Sequence, residues 1–354
     1  MMLETRNVFI DTSVFIEQNY GFHGSVFQNL IRLCSKEQAK LFVTDITSRE
    51  VVAHIEEDVS KACQAAAKFQ RDARILRNLP NPEYVSLFEK IDPHSTTAEL
   101  ILQFKTFLQG ASAKTLSTSG VSIEAVFNAY FDRKPPFGEG KKKDEFPDAF
   151  ALHSLENWCE ARNERMYVVS VDGDMPKHCA ESKNLIHLQK LAEFINVVEL
   201  HDEVLAPSVD ALIEDNASAI DDAITKEFTN QGFWIDDQEG DVNGVEVTHI
   251  ERLDRLILEI DQNSAVVQVD SGITFEADIT YDDLDTASYD SEDKVLIPWR
   301  QINRVVEQNA TVVATVYIKH DVEEPGYFEI DHVEIDTGNR SGFPVSRDDE
   351  WPYK

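Results

Sequence analysis

Tyr167-Val168-Val169-Ser170-Val171 runs directly into Asp172-Gly173-Asp174. The apolar, β-branched run over 167–171 predicts a buried strand of a parallel sheet. Two carboxylates one residue apart, just past its C-terminal end, stand where open α/β sheets bind their ligands. Three more acidic positions have related settings. Asp11 ends the apolar run Val8-Phe9-Ile10 and is followed by Thr12-Ser13-Val14-Phe15-Ile16. Glu50 falls in the first turns of a helix expected after Leu41-Phe42-Val43. Asp148 follows Pro147 and opens the amphipathic run Ala149 to Trp158. Carboxylates that converge at strand ends repel one another unless a cation neutralises them, and hard oxygen ligands of this kind suit Mg²⁺ or Mn²⁺.

Outward from these positions, strand and helix patterns alternate. Residues 7–10 and 41–43 read as short buried strands, with a helix between them over Gly24 to Lys36. Thr47 or Ser48 is the expected cap of the helix that carries Glu50. Residues 56–77 contain neither Gly nor Pro and favour a long helix, broken by Pro80 and Pro82. Residues 83–131 read as mostly helical, with a loop over Gly110 to Gly120. Pro135 to Lys143 reads as a flexible connector, and Pro147 suits the first turn of a helix over Asp148 to Glu164. A strand over Asn184 to Leu188 and a helix over Gln189 to Val197 complete an α/β pattern, a parallel sheet with covering helices. After about residue 205 the character changes. Residues 208–231 read as one acidic helix, and Val245–Ile250, Leu256–Ile260, Ala265–Val269, Ile273–Ile279, Thr311–Ile318 and Tyr327–Ile335 read as strands with polar outer faces. Asp282 to Lys294 reads as an acidic loop.

A chain of 354 residues predicts two domains. The expected division is an α/β domain over 1–205 with a helical insertion at about 56–135, a mainly antiparallel β domain with an acidic helix over 206–336, and a flexible tail over 337–354. The net charge of −32 is unevenly spread: residues 1–200 carry 23 Lys and Arg against 28 Asp and Glu, residues 201–354 carry 10 against 37. The C-terminal part therefore repels nucleic acid, whereas the N-terminal part keeps basic clusters. Cys34, Cys63, Cys159 and Cys179 lack the short paired spacing of a zinc knuckle or a disulfide framework. No apolar run has the length of a membrane span or the form of a signal peptide, so a cytoplasmic protein without membrane partners is expected.

Four segments in order carry a resemblance: Asp11-Thr12-Ser13-Val14-Phe15-Ile16, Glu50-Val51-Val52, Phe146-Pro147-Asp148-Ala149-Phe150-Ala151-Leu152 and Ser170-Val171-Asp172-Gly173-Asp174. They resemble a PIN-domain nuclease, over roughly residues 5–200. Lys142-Lys143-Asp144-Glu145-Phe146-Pro147-Asp148 is similar to a large bacterial PIN-like subfamily known as a domain of unknown function. Ser13 stands where the family most often has Asn, and the stretch from Glu50 to Asp148 is much longer than in small PIN toxins. The resemblance implies a three-layer parallel sheet and a Mg²⁺- or Mn²⁺-dependent nuclease. RNA is the substrate most often met in the family, in toxin-type regulation or phage defence. Asp11, Glu50, Asp148, Asp172 and Asp174 are then the expected catalytic and metal-binding residues, with Ser13 and Ser170 hydrogen-bonded behind them.

Each residue also has a plainer reading. Asp11 alone suits a helix N-cap, Asp148 a helix dipole, Asp172-Gly173-Asp174 a turn, and Glu50 a solvated helix surface. Lys68, Arg71 and Arg74 recur at three-residue steps and suit either a phosphate-contacting stripe or a solvated face. Lys141, Lys142 and Lys143 lie just upstream of Asp148, in position to meet a nucleic-acid backbone. His54 follows Glu50 by one turn, and His178 has no evident partner in the sequence. The acidic C-terminal part is expected to hold a protein partner, fix an oligomer or restrain activity. Competing functions are a structure-selective DNA nuclease and a catalytically silent PIN-like scaffold.

Overall fold

A computed structural model of the protein describes residues 3–78, 85, 87–137, 145–202, 206–236, 238–261, 263–290, 295–321, 326–337 and 342–347. The chain divides into two compact units, residues 1–201 and 202–354.

The N-terminal unit is built on β1 (Asn7–Ile10), β2 (Lys40–Thr44), β3 (Lys114–Leu116), β4 (Met166–Val169) and β5 (Leu185–Leu188), in the order β3-β2-β1-β4-β5 with every pairing parallel. Eight helices occur among the described residues: α1 (Thr12–Glu17), α2 (Ser25–Ser35), α3 (Asp45–Asp72), α4 (Pro93–Gly110), α5 (Ile123–Phe131), α6 (Phe146–Arg162), α7 (Met175–Glu181) and α8 (Leu191–Asp202). Alternate side chains of a strand point to opposite faces, and both faces here are apolar. Phe9, Phe42, Met166 and Val168 pack with Leu152, Leu155 and Cys159 of α6 and with Met175 and Cys179 of α7. On the other face Tyr167 meets Phe194 of α8 edge-on, ring centroids 5.5 Å apart. Helices on both faces make the three layers expected of a PIN-like parallel sheet. Phe15, Phe22, Phe27, Phe104 and Phe107 cluster at 4.9–6.2 Å and tie α1, α2 and α4 together. Each buried ring contributes about 1.5–3 kcal/mol, so this cluster holds the start of α1, and hence Asp11, in a fixed place.

Three local expectations are corrected. The cap of α3 is Thr44, whose hydroxyl accepts from Thr47 N at 3.0 Å, rather than Thr47 or Ser48. The stretch read as a loop over 110–120 contains the edge strand β3, with Phe42 opposite Lys114; at three residues it is too short to show a period of two. The strand expected over 167–171 ends at Val169. Ser170 N–H still donates to Leu188 O of β5 at 3.1 Å while its hydroxyl faces Asp11, and Val171 turns its N–H to Ser13 Oγ.

The C-terminal unit is mainly antiparallel, as expected. The helix read over 208–231 is two, α9 (Ala206–Asp215) and α10 (Ala217–Thr229), parted at Asn216, which leaves helical dihedrals at φ −108° and ψ 20°. After β6 (Phe233–Ile235) come β7 (Gly240–Ile260), β8 (Ser264–Asp282), β9 (Ser288–Asp290), β10 (Val295–Ile297), β11 (Gln301–His320), β12 (Phe328–Asp336) and β13 (Phe343–Val345). The order β12-β11-β8-β7 forms one sheet of long strands, where the sequence suggested several short ones. The polar interruptions that read as breaks are absorbed in β7 by four register shifts, one between Arg252 and Asp254, and in β8 by Gln268 donating to Asp270 at 3.2 Å within the strand. Ile220, Ile224 and Phe228 of α10 pack with Ile257, Val267, Phe275 and Val316 on the apolar face. On the outer face Glu276 stands directly opposite Glu246 on one side and Glu307 on the other.

Two C-terminal expectations also change. Within the expected acidic loop, β9 pairs with β10. Within the expected flexible tail, β13 pairs with β6, Val345 is fully buried and Phe343 meets the Phe228 ring at 4.8 Å. Among the described residues no helix is long and apolar enough to cross a membrane, and all four cysteines are free.

Candidate active site

In the order β3-β2-β1-β4-β5 the chain leaves β1 toward β2 on one side and adds β4 on the other. The carboxyl ends of β1 and β4 are therefore the switch point at which open α/β sheets form a crevice. Asp11 follows β1 directly, and its N–H donates to Val169 O of β4 at 3.0 Å. Asp11 is buried and also caps α1, accepting from Ser13 N at 3.2 Å. The plainer reading of that residue is thus realised, without using up its carboxylate.

Ser170 is fully buried at the centre of a small network. It donates to Asp11 Oδ2 at 3.0 Å, accepts from Asp172 N at 3.0 Å, and lies 3.2 Å from Ser13 Oγ. Ser13 Oγ itself donates to the same Asp11 oxygen and accepts from Val171 N at 3.3 Å. Asp172 Oδ1 in turn accepts from Asp174 N at 2.8 Å. These bonds fix where Asp11 and Asp172 point.

Glu50, in the second turn of α3, is held by Thr12 Oγ1 at 3.0 Å. Burial pushes its carboxyl above the ordinary value, opposed by the Thr12 bond and reinforced by Asp11. His54 lies close enough to act on Glu50 electrostatically in the opposite sense. Asp148 enters from the first turn of α6, where Pro147 stands at the helix start. Burial, and then the charges of Asp11, Glu50, Asp172 and Glu145, push the Asp148 carboxyl up to about 7. The structure therefore brings Asp11, Glu50, Asp148 and Asp172 within mutual influence.

Other candidates sit differently. Asp174 is buried, with its carboxylate accepting from Lys177 Nζ at 3.1 Å. Lys68 and Arg71 are exposed near the far end of α3. Lys68 is 18 residues beyond Glu50, about 27 Å along the axis at 1.5 Å per residue. Arg74 lies past the end of that helix, so this stripe is not brought to the carboxylates. Lys141, Lys142 and Lys143 lie outside the described residues. His178 does have partners: Pro135 O at 3.0 Å and Glu156 Oε1 at 3.2 Å. Glu145, Thr12 and His187, whose Nε2 meets Ser170 O at 2.9 Å, escaped the sequence reading. Glu145 had a signal, being two residues before Pro147; Thr12 and His187 are tied to the site only by the fold.

Among the described residues no group of three or more His, Cys, Asp or Glu side chains is placed to hold a metal ion. The donor set nevertheless fits a hard divalent ion: all-oxygen, partly buried and mutually repulsive, with one carboxyl raised toward neutral pH by its neighbours.

A parallel sheet with carboxylates gathered at its switch point defines an acidic-site α/β domain. Residues 8–175 match the family model described as PIN domain, and the N-terminal unit is a PIN domain. PIN domains are generally nucleases. Nothing among curated proteins or solved structures matches the chain.

Proposed function

We propose that the protein is a metal-dependent endoribonuclease whose centre is Asp11, Glu50, Asp148 and Asp172. The observation that supports this most is the convergence of four carboxylates on the end of β1 and β4, with Asp148 pushed up to about 7 by the other charges and by burial. Such an arrangement costs folding energy in the absence of a cation and is retained where a cation relieves it.

Asp11, Asp148 and Asp172 would hold the ion, with Asp174 adjoining them through the Asp172 turn. A bound Mg²⁺ or Mn²⁺ supplies Lewis acidity toward the phosphate and offsets the charge that develops on its oxygens. The chain's own groups do the positioning. Ser13 and Ser170 set the direction of the Asp11 carboxylate, and Thr12 sets that of Glu50. Glu50 is placed to orient a water or to contact a second ion. Without metal Asp148 keeps its proton up to about pH 7, so an ion held by it would displace that proton. RNA as the substrate follows from the family resemblance, and Lys141, Lys142 and Lys143 precede Asp148 closely enough in sequence to meet its backbone. The C-terminal unit, with its acidic outer face, suits a role in holding a basic protein partner or in keeping nucleic acid at a distance.

The test is cleavage of end-labelled single-stranded RNA, beside DNA of the same sequence, with Mn²⁺, with EDTA and with Asp148→Asn protein. Internal cleavage that needs the metal, vanishes in the variant and prefers RNA supports the proposal. Preferred cleavage of the DNA strand would replace RNA as the substrate. Folded protein that cuts neither strand and gives no heat on Mn²⁺ titration would leave a silent scaffold.

A further inference from the structure

The geometry points to an aromatic platform on α5 that stacks unpaired bases of a single strand and delivers the backbone to the carboxylates. This rests on the nuclease proposal and goes beyond it by naming how substrate is gripped.

Ile123, Phe127 and Phe131 fall at i, i+4 and i+8, so they form one stripe along α5. They are 65 %, 44 % and 74 % exposed, whereas only Val126 of that helix is buried. Each ring packs on one side against a neighbour and leaves much of its surface in water. The stripe is not isolated from the site. The Phe127 ring lies 5.4 Å from that of Phe146, and Phe131 reaches the same ring through Tyr130, at 5.4 and then 5.1 Å. Phe146 begins α6 two residues before Asp148. Phe137 and Ala149 close the cluster beneath. The exposed rings are thus the outer margin of the small core that supports the first turn of α6, the turn that carries Asp148.

The occupant follows from the chemistry on either side. Exposed rings packed on the helix turn that carries Asp148, the Phe127 and Phe131 centroids 6.3 Å apart with planes tilted by 31°, suit nucleobases, because every base has a π-face and stacking needs no particular sequence. Duplex bases are already stacked on each other, so the strand must be single or locally opened. At the C-terminal end of the stripe, Phe131 is followed within three residues by Arg133 and Lys134. Lys134 remains 62 % exposed at its side chain while pairing with Asp132 at 3.3 Å. Positive charge at that end suits the phosphates of a strand whose bases lie on the rings.

The test measures binding of a fluorescein-labelled oligouridylate by anisotropy in EDTA, so that cleavage does not intervene. An abasic strand of equal length serves as the control. Two double variants are compared with the wild type: Phe127→Leu with Phe131→Leu, which keeps apolar bulk without the rings, and Phe127→Tyr with Phe131→Tyr, which keeps the rings. Circular dichroism checks their folds. The expected result is about a tenfold or greater loss of oligouridylate affinity in the leucine pair. The abasic strand should be unaffected, and the tyrosine pair should bind as wild type. In Mn²⁺ the leucine pair should show a raised KM with kcat retained, because the rings do not touch the reacting atoms. Equal affinity in the leucine pair, with wild-type cleavage intact, overturns the platform and leaves the nuclease standing. Retained affinity together with a fall in sedimentation mass assigns the stripe to a protein contact and likewise overturns it. Wild-type protein that neither binds nor cuts any strand overturns both proposals.

Discussion

Replacing Asp148 with Asn should stabilise the metal-free protein, and by an amount that grows with pH. An Asp carboxyl in the unfolded chain titrates near 3.8, and in the folded protein burial with Asp11, Glu50, Asp172 and Glu145 pushes it up to about 7. Between those values the folded state keeps a proton that the unfolded state has released. Stability therefore falls as pH rises through the window, by about 1.4 kcal/mol per pH unit. From pH 5.5 to 7 the loss is about 2 kcal/mol, and above the folded value it levels off. The asparagine variant lacks this titration, so the difference between the two proteins reports Asp148 together with its coupling to the carboxylates around it. The assay is urea unfolding in EDTA at pH 5.5, 6, 6.5, 7 and 8. Wild type should lose about 2 kcal/mol relative to the variant across the first four points. Mn²⁺ at pH 7.5 should restore wild type in proportion to its occupancy and help the variant much less. Wild-type and variant curves that run parallel across pH would refute the electrostatic account of the site.

Three further outcomes follow from particular contacts. Ser170→Ala removes a fully buried hydroxyl between Asp11 and Asp172 N; it should cost about 1–3 kcal/mol in urea unfolding, and cleavage should fall more than Asn in place of Ser13 would cause. In the His178–Glu156 pair, burial opposes the imidazolium, but the bonds to Glu156 and to Pro135 O and the nearby carboxylate charges together outweigh it, raising His178, while Glu156 is lowered despite its own burial. The His178 contribution is complete below 6.5 and fades as pH rises through its raised value; the Glu156 contribution is complete above 4.5 and fades as pH falls through its lowered value. The stability cost of His178→Asn should therefore peak between those two pH values and shrink on either side, as read by thermal unfolding of both proteins. Glu276→Lys would replace two like-charge cross-strand pairs, with Glu246 and Glu307, by two opposite-charge pairs; about 0.5–1 kcal/mol of stabilisation is expected at low salt, disappearing at high salt.

The sheet of the N-terminal unit was legible because buried parallel strands are short apolar runs, and Val8-Phe9-Ile10, Leu41-Phe42-Val43 and Tyr167-Val168-Val169 each end close to an acidic or hydroxyl residue. Asp11 and Asp172 stood out for the same reason, since parallel strands put all such ends on one edge, whereas Glu50 and Asp148, both on helices, were singled out by the order of motifs in the family resemblance. Lys114-Thr115-Leu116 escaped because its place is set by β2 and not by its own pattern. Thr12 and His187 escaped because a hydroxyl and an imidazole acquire a role only when the fold aims them at Glu50 and Ser170. In the C-terminal unit residues 251–255 and 270–272 stood between the expected strands, yet a register shift and an internal side-chain bond carry the strands through them. Phe343 and Val345 are two anchors in a polar stretch, too few to signal a strand until Phe228 and Trp234 are seen beside them.

The threading of β1 has a consequence for the protein's synthesis. Val8 pairs with Leu41 on one side and with Tyr167 on the other, so β1 cannot complete its pairing until β4 has been made. At 5–20 residues per second that wait is about 10–30 s. Throughout it Asp11 and Glu50 are present on the nascent chain, while Asp148 and Asp172 have not yet been joined to it or are only just emerging. No truncated product ending before β4 can assemble the cluster. The connectivity thus acts as a timer, holding the acidic centre apart until the message has been read past Val169.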